Sequence, residues 1–285
     1  STDGVTATDN ITLRASGGTS DVVLNKAVTT TSGTVTLAAG RNFTNNLASN
    51  TGIVPGSGRY LVYSAHPADS TEAMTGYSKH YNQTYAPGST PAYAVSGNWF
   101  LYSVAPSLTV TPNGTITYGA AETFTSTYNG FIDGDVAASA GITGAPTVTV
   151  AGFTATGAGK RPAGSYATTM GTSGDLASSL GYAFRVDNSI TGTLTVNPKD
   201  VSVSGSRVFD GTTVAAAAAL TNLSGVLTGD AVALGGNGSL ADKHVGNAKT
   251  VTTGTLALGG PDGGNYAIVQ PAGVTADITP ATLNY

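Results

Sequence analysis

The chain has 285 residues, of which 10% are charged and 40% hydrophobic, with a net charge of −4 and no cysteine. Charge far below the rough quarter usual in soluble domains, with no basic cluster and no apolar run of membrane length, excludes a phosphate-neutralising nucleic-acid binder and a membrane-spanning helix. Alternating Val, Ile, Leu and Tyr argue against disorder, and the Gly, Thr, Ser, Ala and Val that replace the charges favour strands and turns over helices.

The first pattern in chain order is a short period. "VTATDNITLRASG" from Val5 and "VTTTSGTVTLAAG" from Val28 repeat after 23 residues, with alternating apolar positions and Gly, Asn or Asp at the corners. A period of that length with short strands predicts the coils of a parallel β-helix. The pattern fades after "GRNFTNNLASN". An open helix end is an exposed sheet edge, so residues 56–107 are expected to cap it.

The cap is rich in aromatics: Tyr60, Tyr63, Tyr77, Tyr81, Tyr85, Tyr93, Trp99, Phe100 and Tyr102 fall there, which includes seven of the 13 tyrosines and the only Trp. Alternation in "RYLVYS" and "WFLYSV" predicts buried strands for Tyr60, Tyr63, Trp99, Phe100 and Tyr102, with hydroxyls turned to water. Tyr77, Tyr81 and Tyr85 are spaced by four, which fits one helical face or an exposed loop. Flat aromatic faces with polar rims suit sugars and protein partners, so Tyr77, Tyr81, Tyr85 and Trp99 are the candidate ligand-binding residues.

Longer repeats follow. "LTVTPNGTITYG", "LTVNPKDVSVSG" and "ADITPATLNY" share Pro112, Pro198 and Pro280, 86 and 82 residues apart. Between them "GFIDGDV" answers "GVLTGDAV", Gly164 answers Gly246, and "GYAFRV" answers "NYAIVQ" through Tyr182 and Tyr266. Two divergent copies of one domain are therefore expected, at 108–197 and 198–280, with 281–285 opening a third. Ser1 begins mid-pattern and Tyr285 ends inside a repeat, so the sequence reads as part of a longer chain. The middle landmark is offset by more than the others, which places an insertion of roughly ten residues near "TTVAAAAALTN" in the second copy. Because proline cannot donate to a ladder, the shared prolines are expected to end one domain and start the next, giving a stiff rod.

The Gly-Asp landmarks read as turns, with glycine supplying the backbone angle and aspartate accepting backbone N–H groups. Asp135 is also the expected N-cap of a short helix at "VAASAG". Calcium is the alternative at Asp133 and Asp135, although no D-x-D-x-D-G loop occurs. His66, His80 and His244 lie far apart without zinc spacing, and no nucleophile elbow, S-x-x-K or phosphate loop is found. No cofactor and no enzymatic activity are expected.

These motifs carry a resemblance. The coils with "GRYLVYSAHPAD" and "GNWFLYSVAP" resemble the end of the helical shaft in filamentous-haemagglutinin-like exoproteins of two-partner secretion systems. "ITYGAAETFTSTYNGFIDGD" with "PAGSYATT" resembles the MBG domain of the YGX type, and "SRVFDGTT", "LSGVLTGD", "LADKHVG" and "DGGNYAI" resemble the YDG domain. Phe209 and His244 depart from the YDG pattern, which has Tyr and Asn there. The resemblance implies a mostly β, elongated, extracellular segment of a bacterial surface adhesin, exported through an outer-membrane secretion partner. It acts as a stalk, as a module binding a glycan, host surface or matrix, or as a self-associating filament subunit.

Overall fold

The computed structural model describes residues 3–269 and 273–282. Leu283, Asn284 and Tyr285, the body of the expected third copy, lie outside the described residues. The protein is nearly all β, built from several sheets without a barrel, and no α-helix occurs among the described residues. The chain divides into two units. The first comprises Ser1–Val110, Tyr128–Thr147 and Met170–Asp187, and the second Thr111–Thr127, Val148–Thr169 and Asn188–Tyr285.

In the first unit the short period becomes three parallel stacks. Val5–Ala7 pairs with Val28–Thr30, and that strand with Ile53–Val54. Ile11–Arg14 pairs with Thr34–Ala38, which pairs with Arg59–Ser64; Val22–Leu24 pairs with Phe43–Asn45. Each rung sets one coil's apolar position over the next: Ile11 lies opposite Val35 and Val35 opposite Tyr60, and all three are buried. The coils approach closely at their corners. A Cβ on Gly58 would lie 1.9 Å from the Gly33 carbonyl oxygen, so glycine is required there for lack of space.

The middle stack continues through Trp99–Tyr102 to the edge strand Ser78–His80. Alternation sends Tyr60, Val62, Phe100 and Tyr102 inward. Leu61, Tyr63 and Leu101 point the other way, yet they are also buried, because Ala94 and the half-buried Tyr85 and Trp99 cover that face. Two of the hydroxyls expected to face water are enclosed instead: that of Tyr60 is buried, and that of Tyr102 donates to Glu72 at 2.6 Å. The inner core continues into Leu108, Ala140 and Tyr182. Ser107–Thr109, the start of the strand Ser107–Thr117, pairs in parallel with Ala183–Arg185.

In the second unit, Gly114–Thr117 of that strand pairs in parallel with the strand Gly192–Asn197. The second copy repeats the device: Lys199–Val208 pairs first with Tyr266–Ile268 and then with Val274–Thr279. Strand order also agrees. The first copy runs Thr125–Asn129, Ser107–Thr117, Gly192–Asn197, Gly164–Thr172, Thr147–Val150. The second runs Asn222–Ser224, Lys199–Val208, Val274–Thr279, Gly246–Thr252, Asn237–Leu240, with Val214–Ala216 added at its edge.

This correspondence corrects two expectations. Pro198 and Pro280 do stand at strand ends, but Pro112 lies inside a continuous strand. It is tolerated between the residues that pair with Ala183–Arg185 and those that pair with Gly192–Asn197, where neither of these two ladders uses its missing N–H. Its carbonyl accepts a hydrogen bond from Thr168 Oγ1 at 2.5 Å. The insertion also moves. Gly130 and Gly225 turn against Leu108 and Val201 respectively, so the front halves of the copies have matching lengths. The difference lies in the first copy, whose connection 151–163 answers the shorter 241–245.

Candidate functional site: two tyrosine–aspartate junctions

Both Gly-Asp landmarks form tight turns closed by the aspartate's own N–H. Asp135 N–H donates to the Ile132 carbonyl, with Asp133 and Gly134 at φ 55° and 70°. Asp230 N–H donates to the Leu227 carbonyl, with Gly229 at φ 102°. Positive φ at both central positions marks a I′-like turn and at the second alone a II-like turn. Either way the aspartate stands at the last position, with its carboxylate free to reach across.

What it reaches is a pair of phenols. Tyr81 and Tyr182 donate to one Asp135 oxygen at 2.7 and 2.9 Å, and their rings meet edge to face at 5.0 Å. Tyr118 and Tyr266 donate to one Asp230 oxygen at 2.6 and 2.5 Å, with rings edge to face at 5.3 Å. The later tyrosine of each pair also accepts from the first residue of the turn: Ile132 N–H donates to Tyr182 at 3.1 Å and Leu227 N–H to Tyr266 at 2.9 Å. Two copies with divergent sequences have kept the same four hydrogen bonds and the same edge-to-face ring pair around turns of different type.

The remaining oxygen distinguishes the junctions. At Asp135 it meets the Lys79 ammonium at 2.8 Å, and Lys79 also contacts Asp133 at 2.7 Å. A protein cation therefore bridges the two carboxylates considered for calcium, and no cluster of metal-binding side chains is found among the described residues. Ser139, not Asp135, bonds the Val136 N–H, and "VAASAG" forms turns instead of the expected helix, because the carboxylate is drawn to Lys79 and the phenols. At Asp230 the oxygen accepts from Ala158 N–H at 2.6 Å. Ala158 belongs to the longer connection, as do Thr156, which bonds Tyr118 at 2.6 Å, and Ala163, whose N–H donates to Asn265.

Burial opposes ionisation of both aspartates, but Lys79 and the phenols at Asp135, and the phenols with Ala158 at Asp230, outweigh it and hold both carboxyls below the usual range. Burial and the adjacent carboxylate push the tyrosines the other way, Tyr118 to about 12 and Tyr81 and Tyr266 further up. Each junction is therefore a carboxylate solvated by phenol O–H groups, charge-assisted and strong. Both oxygens of each carboxylate are engaged, at Asp135 by the phenols and Lys79 and at Asp230 by the phenols and the Ala158 N–H.

The residues expected to bind ligand do not converge. The segment holding Tyr77, Tyr81 and Tyr85 is a strand followed by turns, so the spacing of four makes no helical face. Tyr77 packs on Phe100 at 4.5 Å and Tyr81 is fully buried at the junction. Tyr85 and Trp99 lie on the opposite face of the sheet, where Tyr85 meets Tyr63 at 5.1 Å and Trp99 bonds the Ser96 carbonyl. The sequence marked Asp135, Asp230, Tyr182 and Tyr266 as landmarks. It did not reveal their partners Tyr81 and Tyr118, which lie 54 and 112 residues from the carboxylates they bond.

The signature "SRVFDGTT" forms a local turn in which Asp210 accepts from Arg207, from Thr212 N–H and from the Thr212 hydroxyl. Those bonds, Arg207 foremost, bring its carboxyl down to about 2. Phe209 is exposed, and His244 donates its backbone N–H to Asp242.

Residues 190–276 match the family model of the YDG domain. That span begins just before the strand Gly192–Asn197, whose Leu194 and Val196 pack with Val201 and Tyr266 in one cluster. No curated protein and no solved structure matches the chain.

Proposed function

We propose that this chain is a non-catalytic stalk segment of a large secreted bacterial surface adhesin. In this reading the parallel stacks are the last coils of a β-helical shaft, followed by an MBG-like and a YDG domain. The segment acts extracellularly by holding or presenting a binding region away from the cell. The observation that carries the proposal is the repeated junction. A carboxylate bonded to one tyrosine of its own copy and one from the preceding stretch of chain couples successive stretches through directional, charge-assisted bonds, as an array under tension requires.

The supporting evidence is of three kinds. The same strand order recurs in both copies, the YDG domain is present, and the parallel rungs recur at the period of a solenoid. Export through an outer-membrane partner follows from the resemblance of the coil and cap motifs. Small-angle scattering on the monomer tests the reading. A compact chain of this length has a radius of gyration of about 19 Å, and a stalk must lie well above it; a value near the compact one ends the proposal.

A further inference from the structure

In the first unit, two adjoining depressions lie on the outer face of the sheet formed by Ile11–Arg14, Thr34–Ala38 and Arg59–Ser64. Their volumes are about 230 and 260 Å³, and Tyr63 and Tyr85 line both. Arg14 lies in one and Arg59 in the other. Neither arginine forms an ion pair among the described residues, Arg59 donates from Nη1 to the Ala94 carbonyl, which fixes its guanidinium without neutralising it, and no Asp or Glu lines either depression. In a chain with 16 acidic and 12 basic residues this is a local reversal of charge. The remaining lining is mainly hydroxyl, amide and glycine, including Thr12, Thr36 and Gln83. Arg14 stands over the Tyr85 ring, 5.5 Å from its centre.

The geometry points to a groove for an acidic oligosaccharide, with Tyr85 as the platform for a sugar ring and Arg14 and Arg59 as carboxylate receptors. A guanidinium presents a fork of donors matched to a carboxylate. Threonine hydroxyls and the Gln83 amide offer the mixed donors and acceptors that sugar hydroxyls need, and an aromatic face meets the apolar side of a pyranose. The ligand must be an oligomer. Arg14 and Tyr63 occupy the same rung through Ala38, while Arg59 lies two strands across from Arg14 and four residues back. Strand geometry puts the arginine backbones about 16 Å apart, beyond the reach of one sugar. A neutral glycan would leave both guanidinium groups without a counter-charge.

Titration calorimetry of the full chain with oligogalacturonate tests this, using its methyl ester, monomeric galacturonate and poly-glutamate as comparisons. Saturable, salt-sensitive binding of the acid oligomer is expected, with the monomer and the neutral ester far weaker. Arg14→Ala should weaken binding about tenfold, the loss of one charge-assisted contact. Its melting temperature should not change, because Arg14 is exposed. Tyr85→Ala should weaken it further. Absence of binding, equal binding of the ester, or an Arg14→Ala variant that binds like the parent overturns the inference. Equal binding of poly-glutamate through Arg14 also overturns it, assigning the groove to an acidic peptide. A compact scattering profile would end the stalk proposal and leave this result untouched.

Discussion

Asp135 is a buried charge and Asp230 a partly buried one, and the neighbours of both were selected by folding, since the phenols that bond them come from distant parts of the chain. Removing the carboxylate leaves two phenol donors, and at Asp230 the Ala158 N–H, without their acceptor. Asp135→Ala and Asp230→Ala should each cost about 3 kcal/mol, read as a lower urea midpoint at unchanged slope. A loss below about 0.5 kcal/mol in both would show that the junctions carry no load. The pH response follows from the same groups. Both aspartates titrate lower in the folded protein than in the unfolded chain, so their contribution is complete above the unfolded value of 3.8 and disappears as pH falls through the folded values. Tyr118, raised from 10.0 to about 12, contributes fully below pH 10 and loses that contribution as pH rises toward 12. Thermal melts should therefore be flat between about pH 7 and 9, fall above that range, and fall below it first through His80, whose burial holds its imidazole under the unfolded value of 6.5, and then through the aspartates. A maximum inside that range would contradict the assignment. At this scale the sequence showed the aspartates and the later tyrosines as recurring landmarks. The purpose of the recurrence stayed hidden, because a hydrogen bond across 54 or 112 residues leaves no local pattern.

At the scale of elements, the coils were legible because each rung repeats an apolar position after a near-constant interval, and parallel stacking demands that repetition. Gly33 and Gly58 show why corner glycines recur: successive corners touch through backbone. A methyl group at position 58 would overlap the Gly33 carbonyl oxygen. Gly58→Ala should destabilise the first unit by about 3 kcal/mol, measured by hydrogen exchange in Arg59–Ser64 and its neighbour strand. Gly134→Ala, where a Cβ meets nothing within 4 Å, should cost only the positive-φ penalty of about 1 kcal/mol. Equal effects would show that close approach is not the constraint at position 58. Other elements were misread for identifiable reasons. Pro112 looked like a domain boundary because a strand that changes partners midway has the same alternation as two strands joined end to end. The tyrosines spaced by four mimicked a helical face across a strand and a turn.

At the scale of the whole molecule, the contact units do not follow the sequence repeats. The first unit adds Tyr128–Thr147 and Met170–Asp187 to the coils, and the second joins the rest of the first copy to the second. A repeat excised at its proline would lose part of its core. In the second unit, Ile116, Tyr118, Leu194 and Val196 cluster with Val201 and Tyr266. A fragment of residues 198–285 should accordingly melt well below the second unit of the full chain, or fail to fold, whereas one that begins at Thr111 retains every member of that cluster. Circular dichroism melts of both fragments measure this, and equal midpoints would mean that the repeat is self-sufficient.

The sequence by itself determined the β class, the coil period, the existence of two related copies and the YDG motifs, because each is written in spacings of a few residues or in a pattern that recurs. Tertiary structure alone decided that the extra length belongs to the first copy, that residues 151–163 help build the Asp230 junction, that Lys79 bridges the acids considered for calcium, and that Arg14, Arg59 and Tyr85 share one face. Those outcomes depend on which distant segments become neighbours. Burial makes that choice for the molecule as a whole, and no local spacing records it.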